Sequence, residues 1–177
     1  MTRHIMLDLE TMGKSPDAAI VAIGAVAFDP EARRLGDTFY VTVDLESAVR
    51  HGGRIEPDAV MWWLRQSDEA RAALHLDPQP IEAALLDFSR WVEKQGMYAE
   101  VWGNGSDFDN VILGTAYDRA EIPRPWHHRQ NNCYRTLKKR SGIRPPAREG
   151  VHHNALDDAT HQALHAVCIM QKSGKAA

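Results

Sequence analysis

The sequence predicts an α/β fold built around a mixed central sheet, in a single domain covering residues 1–177. Three observations support this prediction. Three consecutive segments near the N-terminus have the apolar or alternating pattern of strands. The segments that follow alternate between one further strand and helical periodicity, as in proteins with a mixed sheet. The length suits one core of ordinary size, and no internal repeat divides the chain.

The first three predicted strands are joined by short connections. They cover residues 4–10, 19–29 and 37–45. The first is short and apolar, the second is rich in Val, Ile and Ala and ends at Pro30, and the third alternates with a period of two. Because short links join antiparallel neighbours, we expect an antiparallel three-strand meander.

Helices dominate the rest of the chain. The predicted elements are a helix from Pro57, helices at 80–96, 107–120, 133–140 and 154–172, and a strand at 98–103. Pro57 suits a first helical turn, and Gly96 suits a helix end. Ser106 or Asp107 is expected to cap the helix at 107–120. The Pro, Gly and Arg-rich segment 142–151 is expected to be a loop near a site.

Composition excludes several classes of protein. The chain is 44% hydrophobic and 25% charged, as in an ordinary globular domain, and no apolar run is long enough to span a membrane. The first ten residues have no signal-peptide core, and two cysteines fit reduced thiols better than a disulfide framework, so we expect a cytoplasmic location. The net charge of −3 argues against nucleic-acid binding by bulk positive charge, although an enzyme could contact phosphate through bound metal ions.

Acidic residues interrupt the first predicted strand. Asp8 and Glu10 are two residues apart, so they point to the same face of the strand. Two adjacent carboxylates repel each other and are costly to bury. A strand edge that reaches water would explain them, but their flanking leucines are typical of a core. Carboxylate oxygens in such a place suit a hard cation such as Mg²⁺ or Mn²⁺.

A second acidic group follows the predicted strand at 98–103. The segment GNGSDFDN, residues 103–110, leads from this strand into a helix and contains Asp107 and Asp109. Loops after strand ends are where α/β sheets place ligands. The alternative is that both acids serve only the helix N-terminus, where capping and the helix dipole favour negative charge.

The third group is the segment GVHHNALDDATHQ, residues 150–162. His152 precedes Asp157 by five residues, and His153 precedes Asp158 by the same number. Spacing alone does not decide which pair is functional, and surface histidines beside helix-start acids would also explain the pattern. Asp157, His161 and His165 are spaced by four, which indicates a solvated helix face more than a zinc site.

Taken in order, these groups resemble the DEDDh 3′–5′ exonucleases of the ribonuclease H-like superfamily, the DnaQ-like enzymes. The matching segments are Asp8-Leu9-Glu10-Thr11, then Gly103-Asn104 with Phe108-Asp109, then His153-Asn154-Ala155-Leu156-Asp157-Asp158-Ala159. VWGNGSDFDNVIL and HNALDDATHQA are most similar to phage and bacterial exodeoxyribonuclease VIII-like or exoribonuclease-like domains. Asp107 and His152 depart from the family pattern, but neither removes a required residue. The resemblance implies a three-layer ribonuclease H-like fold.

The resemblance also implies a site and a reaction. Asp8, Glu10, Asp109 and Asp158 would bind two divalent ions, Mg²⁺ or Mn²⁺, and His153 would be the general base. Such an enzyme removes nucleotides from the 3′ end of single-stranded DNA or RNA and releases nucleoside 5′-monophosphates. By this resemblance, the motif HNALDDA assigns the general base to His153 and the metal ligand to Asp158. Many relatives are homodimers, so a homodimer is expected.

Substrate contacts are expected from four residues. Thr11 and Asn104 would contact the terminal nucleotide, and Met12 would be an apolar wedge against its base, or else only a turn hydrophobe. Arg135 begins a basic stripe, continued by Lys138, Lys139 and Arg140, that could hold the strand's backbone. Of the adjacent residues Trp62 and Trp63, at least one is expected in the core.

Two other functions compete with the exonuclease. An endonuclease of the same superfamily would gather similar carboxylates, but the histidine five residues before the last aspartate favours the exonuclease. A nucleic-acid-binding module without catalysis is the other alternative, although all five catalytic positions are filled.

Overall fold

The computed structural model describes residues 4–96 and 98–173. Within these ranges, one five-stranded sheet contains β1 (His4–Thr11), β2 (Ile20–Asp29), β3 (Arg34–Thr42), β4 (Glu100–Gly103) and β5 (Asn131–Cys133). The strand order is β3-β2-β1-β4-β5. The first three strands are antiparallel, while β4 runs parallel to β1 and β5 parallel to β4. The predicted mixed sheet with an antiparallel meander is therefore confirmed.

Helices cover both faces of this sheet. They are α1 (Leu45–Arg50), α2 (Pro57–Trp63), α3 (Asp68–Ala73), α4 (Ile81–Gln95), α5 (Asp109–Arg119), α6 (Tyr134–Ser141) and α7 (Ala155–Ser173), with a 3₁₀ turn at His128–Gln130. None of the helices in the described ranges combines the length and the apolar character needed to cross a bilayer.

The alternation of side chains along β1 divides the core in two. Ile5, Leu7 and Leu9 point toward α4 and α5 and join a large apolar cluster that includes Leu85 and Phe88. On the opposite face, a smaller cluster packs beneath α7 and α6. Its members include Met6, Val26, Phe28, Tyr134, Ala159 and Ala163. The result is three layers, with helices on both sides of the sheet.

A glycine in β2 allows α7 to lie very close to the sheet. Gly24 pairs with Asp8 across the β1–β2 ladder. A Cβ atom at this position would lie only 2.2 Å from the carbonyl carbon of Ala155, the first residue of α7. Only glycine therefore fits, and its missing side chain brings the start of α7 directly over the acidic end of β1.

Several short elements differ from the sequence predictions. The third strand occupies 34–42 instead of 37–45, because Asp44 caps α1 by accepting hydrogen bonds from the backbone N–H groups of Glu46 and Ser47. The helices α1 and α3 and the strand β5 were not predicted. Each is only three to six residues long, which leaves little hydrophobic periodicity to detect.

The start of α5 also differs from the prediction. Phe108 occupies the cap position, and no side chain forms a cap hydrogen bond there. The expectation that Ser106 or Asp107 caps this helix is therefore wrong. The helix begins at Asp109, two residues later than predicted, and the Asp109 carboxylate is used in a contact with β1.

Candidate active site

The last residues of β1 carry two carboxylates toward α7. Asp8 and Glu10 lie on the face opposite to Leu7 and Leu9, as the alternation of the strand predicts. Glu10 is buried, with 6% of its surface exposed, and a register shift follows between Glu10 and Thr11 where the strand leaves the regular ladder. This face is where α7 lies, so both carboxylates are covered by the C-terminal helix.

Asp109 reaches the same place from α5. It is 2% exposed, and its Oδ1 accepts a hydrogen bond from the backbone N–H of Leu9 at 3.2 Å. Gly103, at the end of β4, makes room for it, because a Cβ there would lie 3.0 Å from the Asp109 Cβ. The contact fixes the start of α5 against β1 and brings a third carboxylate beneath the first two.

The loop before α7 and its first turn complete the group. Glu10, His153 and Asp158 have potential ligand atoms that all lie within 4.8 Å of one another, so these three could hold a metal ion. The backbone N–H of His153 donates to Asp158 Oδ2 at 3.3 Å. One turn further along α7, Gln162 Nε2 donates to Asp8 Oδ1 at 2.7 Å, a contact that the sequence analysis missed. The spacing of four between Asp158 and Gln162 was its only sequence signal.

The doubled histidines and aspartates have different places in the structure. Asp157 turns toward the loop, where its Oδ2 accepts a hydrogen bond from the backbone N–H of Val151 at 2.7 Å. His152 is exposed at the rim of the cleft. His153 and Asp158 are the pair that the structure brings to Glu10.

Burial makes the carboxylate cluster hard to ionise without a counter-ion. It raises the pKa of Asp8 well above its ordinary value, and the charges of Asp109 and Glu10 raise it further. The pKa of Glu10 rises to about 8, again first through burial and then through Asp109. Burial also raises the pKa of Asp109 to about 7. Glu10 Oε1 and Asp109 Oδ2 are buried without a hydrogen-bond partner. Unpartnered carboxylate oxygens that repel each other fit bound cations.

The structure supplies one positive group that the sequence analysis missed. Arg148, from the loop between α6 and α7, forms an ion pair with Asp158, and the two side chains are 22% and 15% exposed. Its charge also lowers the pKa values of Asp8 and Glu10, which opposes their larger upward shifts. The sequence placed 142–151 near a site, but this segment contains two arginines, Arg144 and Arg148, and no local pattern distinguishes them.

The residues that line one cleft of about 510 Å³ include Asp8, Glu10, Arg148, His153, Asp158 and Gln162, and Asp109 is buried beside Asp8 and Glu10. Thr11 and Asn104, two of the expected substrate contacts, are on its wall. Arg135 is not, although its guanidinium donates to the carbonyl oxygen of Asn104. Met12 packs against the large apolar core and lines a neighbouring cavity of about 390 Å³. Asp107 is exposed outside the carboxylate cluster.

Two tryptophans of α2 lie beside His153, the histidine of the loop before α7. Trp62 is on the cleft wall, and its ring lies edge-on to His153 with 4.7 Å between ring centroids. Trp63 is buried, and its indole Nε1 donates to the Thr11 carbonyl oxygen at 3.0 Å, which confirms that at least one tryptophan is in the core. Burial, then the charges of His152 and Arg148, lower the pKa of His153, so its imidazole is mainly neutral near pH 7.

The prediction of a solvated face with Asp157, His161 and His165 is wrong. His165 is fully buried, where its Nδ1 lies 2.8 Å from the Tyr134 hydroxyl and its Nε2 lies 2.9 Å from the Ile143 carbonyl oxygen. His161 lines the cleft. The reason is that α6 packs against this side of α7, which the helical period alone could not show.

Comparison with known protein families gives a match over residues 3–170, to the 3′–5′ exoribonuclease Rv2179c-like domain. The chain belongs to this family. The match covers nearly the whole chain, including all the residues of the cleft described above. It confirms the 3′–5′ exonuclease resemblance that the three ordered acidic motifs predicted.

Individual relatives agree with this family. The exodeoxyribonuclease of Enterobacteria phage T4 is 27% identical over 123 residues, which is 61% of this chain and 52% of the relative. E. coli Exonuclease I in complex with a dT13 oligonucleotide has a TM-score of 0.71 at 15% identity, and the match covers 99% of this chain and 42% of the enzyme. Its zinc-bound form in complex with single-stranded DNA gives a TM-score of 0.70 at 16% identity over 99% and 42% of the two chains.

These matches have two consequences. The structural likeness to Exonuclease I confirms the ribonuclease H-like fold expected from the motifs. The chain spans about half the length of the phage relative and 42% of Exonuclease I, so it corresponds to one part of those longer proteins.

Proposed function

We propose that this chain is a metal-dependent 3′–5′ exonuclease acting on single-stranded DNA or RNA and releasing nucleoside 5′-monophosphates. The observation that carries the proposal is the convergence of Asp8, Glu10, His153 and Asp158 at one cleft, with Asp109 buried against β1 beside the first two. The elements that supply them are distant in sequence. A structural role would not require such a cluster, because buried like charges destabilise a fold.

Asp8, Glu10, Asp109 and Asp158 would hold two divalent ions, Mg²⁺ or Mn²⁺. Their donors are carboxylate oxygens, the type preferred by these cations, and two buried oxygens have no partner among the described residues. Bound there, the ions would neutralise the cluster, activate a water molecule and stabilise charge on the departing 3′ oxygen. The match to a zinc-bound form of Exonuclease I supports metal binding in this fold without identifying the metal of this chain.

His153 would take the proton from the attacking water. A neutral imidazole can accept a proton near pH 7, and the lowered pKa of His153 keeps it neutral. Its backbone has a φ of 63°, so the loop turns sharply just before α7 and brings the ring toward Glu10 and Asp158. The Trp62 ring contact limits the ring's motion on its other side.

The cleft suits the end of a single strand. Its volume of about 510 Å³ lies within the range of small-ligand pockets, which is enough for a terminal nucleotide. Thr11 and Asn104 offer polar groups to that nucleotide, and Arg135 would support the backbone through its position beside Asn104. The role of Met12 as a wedge stays a prediction. Relatives of the same fold were solved with single-stranded oligonucleotides bound, which supports this substrate class.

The test is digestion of matched 5′-labelled RNA and DNA oligonucleotides with Mg²⁺, with Mn²⁺ and with EDTA. We expect a ladder of labelled fragments that shortens from the 3′ end only when metal is present. Asp158→Asn should abolish the ladder, while the neighbouring control Asp157→Asn should retain it. Immediate release of labelled mononucleotide would show that digestion starts at the 5′ end instead.

Two controls distinguish the competing functions. A circular single strand should resist digestion, and its cleavage would establish an endonuclease instead. An oligonucleotide that binds but is never shortened with Mn²⁺ would establish a binding module.

Two sequence predictions stay predictions for this chain. One is the homodimer expected from relatives, which light scattering of the purified protein would test. The other is the cytoplasmic location, which fractionation of expressing cells would test.

A further inference from the structure

Arg148 lines the carboxylate cleft. Its Nη2 forms an ion pair with Asp158 Oδ1 in a place where both side chains are largely buried. The Arg148 charge influences the pKa values of four cleft residues, namely Asp8, Glu10, His153 and His161. Lys14 and Lys138 also line the cleft, but both are exposed. Arg148 is therefore the cation placed to balance the carboxylates from within.

The Asp158 carboxylate, which forms this ion pair, also has a second proposed role. Asp158 is one of the proposed metal ligands, and its nearest possible co-ligands are Glu10 and His153. A divalent ion bound to Asp158 would repel a guanidinium in contact with the same carboxylate. Arg148 and the metal therefore compete for Asp158, and metal binding favours release of the arginine.

A released Arg148 would remain inside the cleft that receives the substrate. Its Nε is buried and has no hydrogen-bond partner among the residues that the structure describes, so the guanidinium has at least one donor available for another group. A guanidinium presents several donors in a planar fork that matches phosphate oxygens. The backbone of Arg148 belongs to the loop that ends at His153, so a phosphate held there lies near the proposed general base.

We infer that Arg148 exchanges partners: it neutralises Asp158 in the metal-free protein, and it binds a phosphate of the substrate strand once metal ions occupy the cluster. Arg148 is thus a substrate-binding residue whose availability depends on metal. This inference rests on the proposed metal site. It also explains why a buried guanidinium lies among residues that must later bind cations.

The first measurement is calorimetric titration of substrate-free protein with MnCl₂. Arg148→Gln removes the competing cation, so we expect its affinity for Mn²⁺ to exceed that of wild type by about tenfold, the change produced by roughly 1.4 kcal/mol. Arg144→Gln, an exposed arginine on the same loop, is the matched control and should bind Mn²⁺ as wild type does. If wild-type protein bound no Mn²⁺, the proposal of a metal site would itself be contradicted. Equal affinities in wild type and Arg148→Gln would overturn the exchange alone.

The second measurement is the affinity for AMP and for dAMP, each with Mn²⁺ and with EDTA. With Mn²⁺, Arg148→Gln should weaken binding by about tenfold or more, because a charged hydrogen bond to phosphate is lost. With EDTA, the affinities of wild type and Arg148→Gln should agree within about twofold, since Asp158 holds the arginine. Equal weakening in both conditions, or none with Mn²⁺, would overturn the inference.

A conservative variant guards against a folding defect. Arg148→Lys retains the positive charge but lacks the planar fork, so it should keep Mn²⁺ affinity near that of wild type and still weaken nucleotide binding. Circular dichroism and the melting temperature of each variant establish that it is folded. Nucleotide affinity of Arg148→Lys equal to wild type would count against recognition by the guanidinium fork.

Discussion

The two faces of β1 differ sharply in what they contact. Odd-numbered residues from Ile5 to Leu9 enter a large apolar core with α4 and α5. Even-numbered residues begin with Met6 in a smaller apolar cluster and continue with Asp8 and Glu10 in the carboxylate site. One strand of eight residues therefore stabilises the fold through one face and carries the proposed chemistry on the other.

The difference shows how the domain tolerates a destabilising site. Three carboxylates with raised pKa values oppose folding, yet two of them, Asp8 and Glu10, alternate along β1 with leucines that are buried in the apolar core. The apolar face offsets the cost of the acidic face because the strand cannot move on one side without moving on the other. Substitutions on the two faces should therefore have opposite effects on stability and activity.

The largest loss of turnover without loss of metal binding is expected for the loop histidine on the acidic side. His153→Ala should lower turnover by about 10²–10⁴-fold, the usual contribution of a general base, while Mn²⁺ affinity stays close to wild type. Turnover and calorimetric metal titration are measured on the same preparations. His152→Ala is the matched control and should retain activity. Loss of Mn²⁺ affinity in His153→Ala would make His153 a metal ligand instead of a base.

A substitution on the apolar face should mainly change stability. Leu7→Ala is expected to lower the free energy of unfolding by about 2–5 kcal/mol, because it removes a fully buried side chain and leaves a cavity. Chemical denaturation measures this change. Its counterpart, Asp8→Asn, should abolish metal-dependent turnover and raise the melting temperature in EDTA, since it removes one repelling carboxylate. A destabilised Asp8→Asn protein would contradict the idea that this cluster opposes folding.

The contact between β2 and α7 allows a test of how α7 covers the acidic face of β1. Gly24→Ala should lower the free energy of unfolding by about 1–3 kcal/mol and reduce activity, because a Cβ would collide with the backbone of Ala155. Gly36→Ala is the control, since its Cβ would meet the Ala27 Cβ at an ordinary 3.4 Å. Equal stability of the two variants in denaturant unfolding would show that α7 can shift without cost.

A further effect is a pH dependence of stability in EDTA. The folded-state pKa of Glu10 is about 8, above its ordinary value near 4.3, so the folded protein holds this proton more tightly than the unfolded chain. Glu10 therefore does not destabilise the folded protein at low pH. Its destabilising effect grows from about pH 4 until the pH passes about 8. The free energy of unfolding of wild type, relative to Glu10→Gln, should fall across this window.

Metal should remove that pH dependence. Mg²⁺ or Mn²⁺ binds the ionised carboxylates, so it should raise the melting temperature more at pH 8 than at pH 5. A melting temperature that does not respond to either metal would contradict the proposed site. A constant difference between wild type and Glu10→Gln across the pH range would show that Glu10 is not buried with a raised pKa.

The sequence was most informative where patterns were long. The strands β1 and β2 and the helices α4, α5 and α7 have enough residues for their period to be read, and the order of the acidic motifs indicated one site. Short elements were missed. β5 is three residues long, two of them asparagines, and its pairing depends on contacts such as the hydrogen bond from Trp126 to the Asn131 side chain. No local pattern reports such a contact.

Within the site, three-dimensional contacts determine the places of residues that the sequence could not assign. Arg148 is one of several arginines in and around a loop, and only its ion pair with Asp158 distinguishes it. His165 had the spacing of a solvated helix face, but packing of α6 buries it completely. Both cases involve contacts between segments that are separate in the chain, and helical or strand periods carry no information about them.

The hydrogen bond between Gln162 and Asp8 joins residues 154 positions apart, and the Leu9–Asp109 contact joins residues 100 positions apart. During translation β1 leaves the ribosome first, and α7 leaves it last among these elements. A growing chain can form the meander and its apolar core before α7 exists, but Asp158 and His153 are then still missing. The cleft is therefore assembled only after α7 has been synthesised, and until then the carboxylates of β1 lack His153 and Asp158 as neighbours.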